Sequence, residues 1–385
     1  MNSDSYSHGV KFWAHRVRQV MGGDAPDNRT FLEKGLYCLS RLYGIGARLR
    51  AKGFEKGVFA EHRLPCRVVS VGNLTTGGSG KTPMTLYLAQ MLEGLGLQPV
   101  VISRGYKGTR ARTGGVVSDG CNILMDPAQA GDEPVMMASQ LAHIPFLVGA
   151  DRYMVGEQAI AKFSPDVILL DDAFQHRGLY RDINLLLVDA AAGFGNGHLL
   201  PRGILREPLD ALGRADAVVI SGRDGRCTDI QVLISRLLPE IPVFRAVSAP
   251  FVHGLARGDE NHPLDLALPE SPHDFGILEN SRILGFSGIG RNQSFKQMLT
   301  EISGSVLDFL EYPDHHAYSA IDLDLIARRA TAAGADCIVT TQKDFVRIRG
   351  RQRFPMDLLV IGIHMDFGGA EKAFSAYVEQ KLSRS

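Results

Sequence analysis

The feature that most constrains the fold is a glycine-rich loop in residues 75–82, which read Thr-Thr-Gly-Gly-Ser-Gly-Lys-Thr. Apart from Thr75, which replaces the first glycine, the segment matches the phosphate-binding pattern G-x-x-x-x-G-K-[ST]. In that pattern backbone N–H groups surround phosphates, the lysine reaches the terminal phosphates and the hydroxyl ligates Mg²⁺. We therefore predict a site for ATP and Mg²⁺. It is formed by Thr75, Thr76, Gly77, Gly78, Ser79, Gly80, Lys81 and Thr82.

The residues around this loop favour a ligand site over a simple glycine-rich turn. An apolar, β-branched run precedes it in residues 67–71, and a helical pattern follows in residues 83–95. A strand, a phosphate loop and a helix in that order are the context that the pattern requires. Membrane-partitioning ATPases that dimerise around nucleotide place a lysine before Gly-Gly, whereas this chain has Thr76. That difference argues against membership of that group.

Apolar runs alternate with helical patterns over the next 180 residues or so, and a second such series begins at Arg282. Continuous apolar strands are typical of parallel sheets covered on both faces, so we predict a doubly wound α/β domain and a second, smaller α/β domain. The predicted organisation is an N-terminal, partly irregular segment (1–30), an amphipathic helical region (31–59), a P-loop domain (60–250), a linker or hairpin (251–280) and the smaller C-terminal α/β domain (281–385).

The helical region 31–59 is apolar along one stripe and rich in Lys and Arg. Its apolar residues recur at three- and four-residue steps: Leu32, Leu36, Leu39, Leu42, Ile45 and Leu49. A basic amphipathic helix can bury such a stripe among lipid headgroups. A surface helix packed on the protein body shows the same spacing. From the residues alone both interpretations stay open.

Composition excludes several classes of function. Lys plus Arg and Asp plus Glu both total 42, so the net charge of zero gives no bulk attraction to nucleic acid. The five cysteines form no C-x-x-C pair, which indicates neither a disulfide framework nor a zinc site. The first residues lack the pattern of a signal peptide, and no run approaches the ~18 apolar residues of a spanning helix. We expect a cytosolic protein that meets membranes only at their surface.

A second acidic motif follows a predicted buried strand. Residues 166–172 read Asp-Val-Ile-Leu-Leu-Asp-Asp. The strand beside a P-loop often ends in a carboxylate that holds Mg²⁺ or its waters, so Asp171 and Asp172 are candidate metal ligands. The alternative is a surface turn that happens to start with two aspartates.

Taken together, the motifs resemble those of the tetraacyldisaccharide 4′-kinase family of lipid A synthesis. The resemblance runs from about residue 31 to the C-terminus, and that family also carries threonine in place of the first glycine. The matching segments are Val71-Gly72-Asn73-Leu74-Thr75 and the loop through Thr82-Pro83; Ser103-Arg104-Gly105-Tyr106; Gly131-Asp132-Glu133-Pro134; Asp171-Asp172-Ala173-Phe174-Gln175-His176; Phe194-Gly195-Asn196-Gly197; Leu199-Leu200-Pro201; Leu205-Arg206-Glu207-Pro208; Asp314-His315; and Thr341-Gln342-Lys343-Asp344.

The resemblance implies an ATP-dependent kinase. It would transfer the γ-phosphate of ATP to the 4′-hydroxyl of a tetraacylated glucosamine disaccharide 1-phosphate, acting as a peripheral protein at the cytoplasmic face of the inner membrane. Because the acceptor is a lipid, the resemblance also favours membrane contact through residues 31–59. A monomer is expected.

The resemblance also implies roles for individual residues. Lys81 would act in catalysis with Asp132 as base and His315 as its partner. Asp132 is also a plausible helix N-cap, His316 is a rival to His315, and Glu133 is an alternative base or metal ligand. Asp132 and His315 fall in different predicted domains, so catalysis would need domain closure. Residues expected around the acceptor or Mg²⁺ are Asn73, Arg104, Tyr106, Gln175, His176, Arg206 and Glu207. Lys343 and Asp344 are expected to be no more than a surface ion pair.

Two other functions compete with the kinase. A P-loop ATPase acting as a conformational switch would turn over ATP without a small-molecule acceptor. A non-catalytic membrane scaffold would tolerate loss of Lys81, but the intact Lys81, Thr82 and Asp171-Asp172 count against it.

Overall fold

The computed structural model describes residue 21 and residues 31–222, 226–258, 266–267, 275–351 and 354–383. The chain divides into two compact units. The first takes its described residues from 1–103, 151–247 and 366–385, and the second from 104–150 and 248–365. Each unit has its own parallel strands and its own core.

The strands in the described residues are β1 (Arg67–Asn73), β2 (Pro99–Ser103), β3 (Gly115–Ser118), β4 (Phe146–Val148), β5 (Val167–Leu170), β6 (Ile183–Asp189), β7 (Ala217–Ser221), β8 (Val243–Ala256), β9 (Arg282–Ser287), β10 (Ser305–Glu311), β11 (Cys337–Thr341) and β12 (Asp357–Asp366). The described helices are α1 (Phe31–Glu55), α2 (Lys81–Gly94), α3 (Pro127–Ala130), α4 (Asp132–Gln140), α5 (Arg152–Phe163), α6 (Arg226–Leu237), α7 (Gly276–Glu279), α8 (Asn292–Ile302), α9 (Ala320–Ala333), α10 (Gln342–Ile348) and α11 (Glu371–Ser383).

The first unit is built on a parallel sheet in the order β8-β7-β6-β1-β5-β2. Strands β5, β6 and β7 are buried along their whole length, which explains why their sequences are continuous apolar runs rather than alternating ones. The strand order reverses at β1, because β5 and β6 pair on its two sides. In doubly wound sheets, ligands bind at the carboxyl ends of strands at such a reversal. The phosphate loop follows β1 directly.

The second unit has parallel strands in the order β10-β9-β11-β12 and an antiparallel β3-β4 pair. Alternate residues of its strands enter two different cores. Ile338 belongs to one cluster with Phe286 and Val360, whereas Val339 belongs to another with Ile361. Since successive side chains of a strand point to opposite faces, both faces of this sheet are covered. The predicted α/β fold, with its P-loop sheet and N-terminal helix, is confirmed.

Helix α1 has a buried face and a separate exposed apolar row. Its buried stripe consists of Glu33, Leu36, Ser40 and Gly44. Gly44 lies so close to Leu199 that an added Cβ would be 2.8 Å from its Cδ1. A separate row of apolar side chains stays exposed, namely Phe31, Leu39, Leu42, Ile45 and Leu49. The helix therefore packs on the first unit and still presents an apolar surface, so the two interpretations of its sequence are compatible. None of the described helices has the length and apolar character needed to span a membrane.

The division into units differs from the predicted boundary near residue 250. Residues 104–150 belong with residues 248–365, although they lie between β2 and α5 in the chain. A linear reading of the sequence misses this arrangement, because each half shows the same β-α alternation.

Some element boundaries also differ from the prediction. Strand β8 continues to Ala256, well into the predicted linker or hairpin, and Leu255 forms an antiparallel bridge with Ala267. That bridge is the kind of pairing a hairpin makes. Most of the rest of 251–274, like most of the N-terminal segment 1–30, lies outside the described residues. Strand β3 and helix α10 were not predicted.

Candidate active site

The phosphate loop begins at the end of β1 and leads into α2, whose first residue is Lys81. Gly77 and Gly80 have φ of 110° and 82°, a left-handed conformation that favours glycine. Gly80 precedes α2 without a side-chain cap, so no side chain of the capping residue competes for the N–H groups of the first turn. The N–H groups at a helix N-terminus favour an anion at this point.

A second segment, residues 199–206, lies against the loop. The backbone N–H of Thr76 donates to the carbonyl of Ile204 at 2.8 Å, and Thr75 forms an antiparallel bridge with Leu205. Thr75 therefore occupies a paired, extended position where the usual pattern has glycine. This pairing also carries Arg206 to the head of the loop.

Lys81 and Arg206 meet one carboxylate, Asp172. The Lys81 Nζ lies 3.7 Å from Asp172 Oδ1, and Arg206 Nη1 lies 3.0 Å from the same oxygen. Asn73 also binds Lys81, since its Oδ1 accepts from Nζ at 3.2 Å. Asp172 itself has φ of 45°, a left-handed conformation that is uncommon outside glycine. The side chains at the end of β5 and the start of α2 thus form a charged cluster.

Asp171 differs from its neighbour because it is buried. Its Oδ1 accepts from the Thr85 hydroxyl of α2 at 3.1 Å, and its Oδ2 accepts from Ser103 at the end of β2 at 3.2 Å. These bonds fix the carboxylate between two strand ends and the helix. The alternative interpretation, a surface turn that happens to start with two aspartates, does not fit the buried, hydrogen-bonded position of Asp171.

Three other residues predicted for the site lie in the same unit. Gln175 donates through Nε2 to the backbone carbonyl of Asn73 at 2.8 Å. Glu207 accepts from Arg214 Nη2 at 2.6 Å and is nearly buried. Burial, with the Arg152 cation nearby, lowers the pKa of His176 to about 4, so this imidazole is neutral at pH 7.

In the second unit, Asp132 stands at the start of α4. It is the first helical residue, and the capping position belongs to Gly131, whose φ is 97°. Asp132 is therefore not the N-cap that its sequence also allowed. A side chain at residue 131 would clash, because its Cβ would lie 2.6 Å from the carbonyl oxygen of Tyr106. Arg104 and Tyr106 lie in the loop that follows β2, and the side chains of both are exposed.

Asp132 pairs with His315. Asp132 Oδ2 lies 3.2 Å from His315 Nδ1, across 183 residues of sequence. His315 has φ of 63°, and its backbone N–H donates to the Gly288 carbonyl at 3.1 Å. Such strained residues cluster at functional sites. Both residues belong to the second unit, so the prediction that they lie in different domains is wrong. Its cause was the assignment of residues 104–150 to the first domain.

The neighbouring histidine has a different partner. His316 Nε2 lies 3.2 Å from Asp322 Oδ2, and its ring stacks on Tyr312 at 4.7 Å. Among the described contacts, His315 is the histidine that pairs with Asp132.

Lys343 and Asp344 do not form the surface ion pair expected from the sequence. Lys343 Nζ lies 3.0 Å from Glu133 Oε1. Asp344 is fully buried, and Arg347 lies 3.0 Å from its Oδ1. The Lys343 and Asp344 side chains are separated because the two residues are adjacent in helix α10, where neighbouring side chains point in different directions.

Sequence reasoning missed Arg347. Its guanidinium donates through Nε to Asp132 Oδ2 at 2.8 Å. The available signal was the i, i+3 spacing of Asp344 and Arg347, which places both on one face of a helix. It went unused because helix α10 was not predicted.

The comparisons with known proteins agree on one family. The sequence profile described as tetraacyldisaccharide-1-P 4′-kinase matches residues 32–383. A tetraacyldisaccharide 4′-kinase of Desulfatibacillum aliphaticivorans is 38% identical over 369 residues, covering 95% of this chain and 97% of the relative. One of Syntrophus aciditrophicus is 41% identical over 340 residues, covering 86% and 88%.

A solved structure is also similar. It is a crystal structure of LpxK from Aquifex aeolicus in complex with ATP. The TM-score is 0.71 at 30% sequence identity, and the match covers 91% of this chain and all of that one.

Proposed function

The chain belongs to the tetraacyldisaccharide-1-P 4′-kinase family, and from that premise we propose how its residues carry out the reaction. The reaction transfers the γ-phosphate of ATP to the 4′-hydroxyl of a tetraacylated glucosamine disaccharide 1-phosphate, a step of lipid A synthesis. The ATP-bound structure of the Aquifex relative supports ATP as the donor here.

The first unit holds the donor. Backbone N–H groups of residues 77–82 bind the phosphates, and the Lys81 ammonium neutralises charge on the transferred group. Asn73 aims Lys81, since its Oδ1 accepts from Nζ at 3.2 Å. The single observation that carries this proposal is the position of Lys81 at the head of α2, 3.7 Å from the acidic end of β5. Lysine, carboxylate and helix start are arranged there as a triphosphate site requires.

The residues present also fit Mg²⁺. Thr82, Asp171 and Asp172 offer oxygen atoms only, which Mg²⁺ prefers. The described residues contain no group of three or more His, Cys, Asp or Glu side chains suited to a metal. Kinase-type sites bind Mg²⁺ with one or two carboxylates and complete its shell with phosphate oxygens and water. Bound there, Mg²⁺ supplies charge neutralisation at the phosphates. Glu133, which pairs with Lys343, is the less favoured ligand.

The second unit supplies the base. Asp132 accepts the proton of the 4′-hydroxyl as the oxygen bonds to the γ-phosphorus and the bond to the bridging oxygen of ADP breaks. His315 holds Asp132 through the 3.2 Å contact of Nδ1 with Oδ2. Arg104 and Tyr106 are exposed beside Gly131, and we assign them to the acceptor.

The lipid character of the acceptor explains helix α1. Leu42 and Leu49 are each 65% exposed and Phe31 is 94% exposed, although the helix is packed on its other face. We propose that this row lies in the cytoplasmic surface of the inner membrane as a peripheral contact.

One assay tests the function. Purified protein is incubated with γ-labelled ATP, Mg²⁺ and the disaccharide lipid, and the position of the new phosphate is found by mass spectrometry. We expect acceptor-dependent transfer to the 4′ position, and loss of transfer in Lys81→Ala. ATP hydrolysis that does not depend on the lipid would indicate a conformational switch and would overturn the proposal.

A further inference from the structure

Arg347 makes contacts in three directions. Its Nε donates to Asp132 Oδ2 at 2.8 Å, and its Nη1 donates to the Gly288 carbonyl at 2.9 Å. Nη1 also donates to Asp344 Oδ1 at 3.0 Å, and Nη2 lies 3.3 Å from His315 Nδ1. The side chain is 6% exposed. A planar guanidinium bound along several edges has a fixed position, because five N–H donors form a rigid fork.

Asp344 anchors this fork. It is 0% exposed, and its carboxylate accepts from the Tyr318 hydroxyl at 2.9 Å, the Thr341 hydroxyl at 2.7 Å and the Gly288 N–H at 3.0 Å. Tyr318 is itself a core residue, packed edge-on against Phe286 at 5.5 Å. A buried carboxylate persists when it is paired and hydrogen-bonded, and Arg347 provides the pairing charge. The guanidinium is therefore tied to the rigid core of the second unit.

The Arg347 guanidinium also contacts both members of the Asp132–His315 pair. The described side-chain contacts of Asp132 are all made by Oδ2, with Arg347 and His315. Asp132 Oδ1 is thus the oxygen left for a proton. The two contacts of His315 Nδ1 exclude each other, because a guanidinium only donates. Nδ1 either accepts from Arg347 or donates to Asp132, and in both tautomers the ring stays beside the fork.

We propose that Arg347 is a positioning residue for phosphoryl transfer. It fixes Oδ2 of Asp132 against the buried Asp344, so that Oδ1 is presented to the acceptor hydroxyl. This inference rests on the proposed role of Asp132 as base. Arg347 acts through Asp132 and does not itself touch the substrate.

A purely structural role would have different consequences. An arginine that only joins α10 to α4 would lower stability, and its loss would reduce activity to the same extent whether or not Asp132 is intact. A positioning residue contributes only while the group it positions is functional. Effects of residues that act as a unit are therefore strongly non-additive.

The test is a double-mutant cycle on the full chain with ATP and the disaccharide lipid. Arg347→Met should lower kcat about 10²-fold, the usual cost of misplacing a reacting group, with KM for both substrates changed by less than about twofold. Arg347→Lys should recover part of kcat, since it keeps the charge without the fork. In an Asp132→Asn background, Arg347→Met should lower the residual kcat by less than about threefold.

Arg351 provides the matched control. It follows α10, and its Nη1 donates to the backbone carbonyl of Tyr318 without contacting Asp132 in the described structure. Arg351→Met should leave kcat unchanged. An equal loss of kcat in Arg351→Met, or an Arg347→Met loss of the same size in both backgrounds, would overturn the inference. If Arg347→Met does not fold, Arg347→Gln replaces it in the cycle.

The two proposals fail in different ways. Wild-type kcat in Asp132→Asn would show that Asp132 is not the base. It would also overturn the positioning role of Arg347, which depends on that base. Low kcat in Asp132→Asn combined with wild-type kcat in Arg347→Met would support Asp132 as the base and would overturn only the positioning role of Arg347.

Discussion

The phenolic hydroxyl of Tyr43 donates to the backbone carbonyl of Arg206 at 2.8 Å. Tyr43 belongs to helix α1, and Arg206 is the residue whose guanidinium pairs with Asp172 beside the phosphate loop. A helix that carries an exposed apolar row is thus bonded to the segment that borders the nucleotide site. Packing of α1 and placement of Arg206 are linked by one hydrogen bond.

Tyr43→Phe removes that bond and keeps the ring. We expect the free energy of unfolding to fall by about 1 kcal/mol, a typical net value for one hydrogen bond, as measured by urea denaturation. Tyr37→Phe is the control, because the Tyr37 ring packs edge-on against His198 at 5.8 Å and its hydroxyl has no bond within the described residues. Equal losses in the two variants would show that the Tyr43 hydroxyl contributes nothing specific.

Asp132→Asn should lower kcat by ~10²–10⁴-fold, the usual contribution of a positioned base, and leave KM for ATP nearly unchanged. The amide keeps the shape of the side chain and cannot take a proton. His315→Asn should also lower kcat, whereas His316→Asn should not, since His316 bonds Asp322. Steady-state kinetics with the lipid acceptor measures all three. A loss of kcat in His316→Asn that matches His315→Asn would contradict the assignment.

Leu42→Glu combined with Leu49→Glu should weaken binding to vesicles of phosphatidylethanolamine and phosphatidylglycerol by roughly tenfold or more. Two exposed apolar side chains are lost from the row and two charges are added opposite anionic lipid. Vesicle sedimentation measures the bound fraction. The control is Ile321→Glu, an exposed apolar residue of the second unit that is 80% accessible. Equal binding by wild type and the double variant would remove α1 from the membrane contact.

The low pKa of His176, about 4, predicts a pH dependence of stability. Between pH 6.5 and 4 the unfolded chain binds a proton at this position that the folded chain does not, so the free energy of unfolding falls as the pH drops. Protonation of His176 in the unfolded chain should lower the free energy of unfolding by about 2 kcal/mol between pH 7 and pH 5. Urea denaturation of wild type and His176→Gln at both values measures it. On going from pH 7 to pH 5, we expect the free energy of unfolding of the variant to fall by about 2 kcal/mol less than that of the wild type. An identical fall in both proteins would show that His176 does not cause the pH dependence.

Much of the first unit could be predicted from sequence because its signals are local. The order strand, glycine loop and helix lies within residues 67–95, and the acidic end of β5 follows a continuous apolar run. Local signals of this kind fix element type well and set boundaries to within a few residues. Even the unusual Thr75 has a local explanation, since it pairs in extended form with Leu205.

The second unit was less predictable because its arrangement depends on contacts between distant residues. Asp132 and Arg347 are 215 residues apart, and no spacing rule connects them. The burial of Asp344 was equally hidden, since a Lys-Asp pair is ordinarily a solvated surface feature. Only the fold shows that three bonds from Tyr318, Thr341 and Gly288 satisfy that carboxylate.

The assignment of residues 104–150 to the second unit has a consequence for synthesis on the ribosome. Asp132 emerges early, but its partners at 315 and 347 are made only when most of the 385-residue chain is complete. Chains grow at about 5–20 residues per second, so the P-loop sheet has many seconds in which to form before the base is assembled. A nascent chain released prematurely, for example after β8, would carry the phosphate loop and Asp132 without the side chains that hold that aspartate in place.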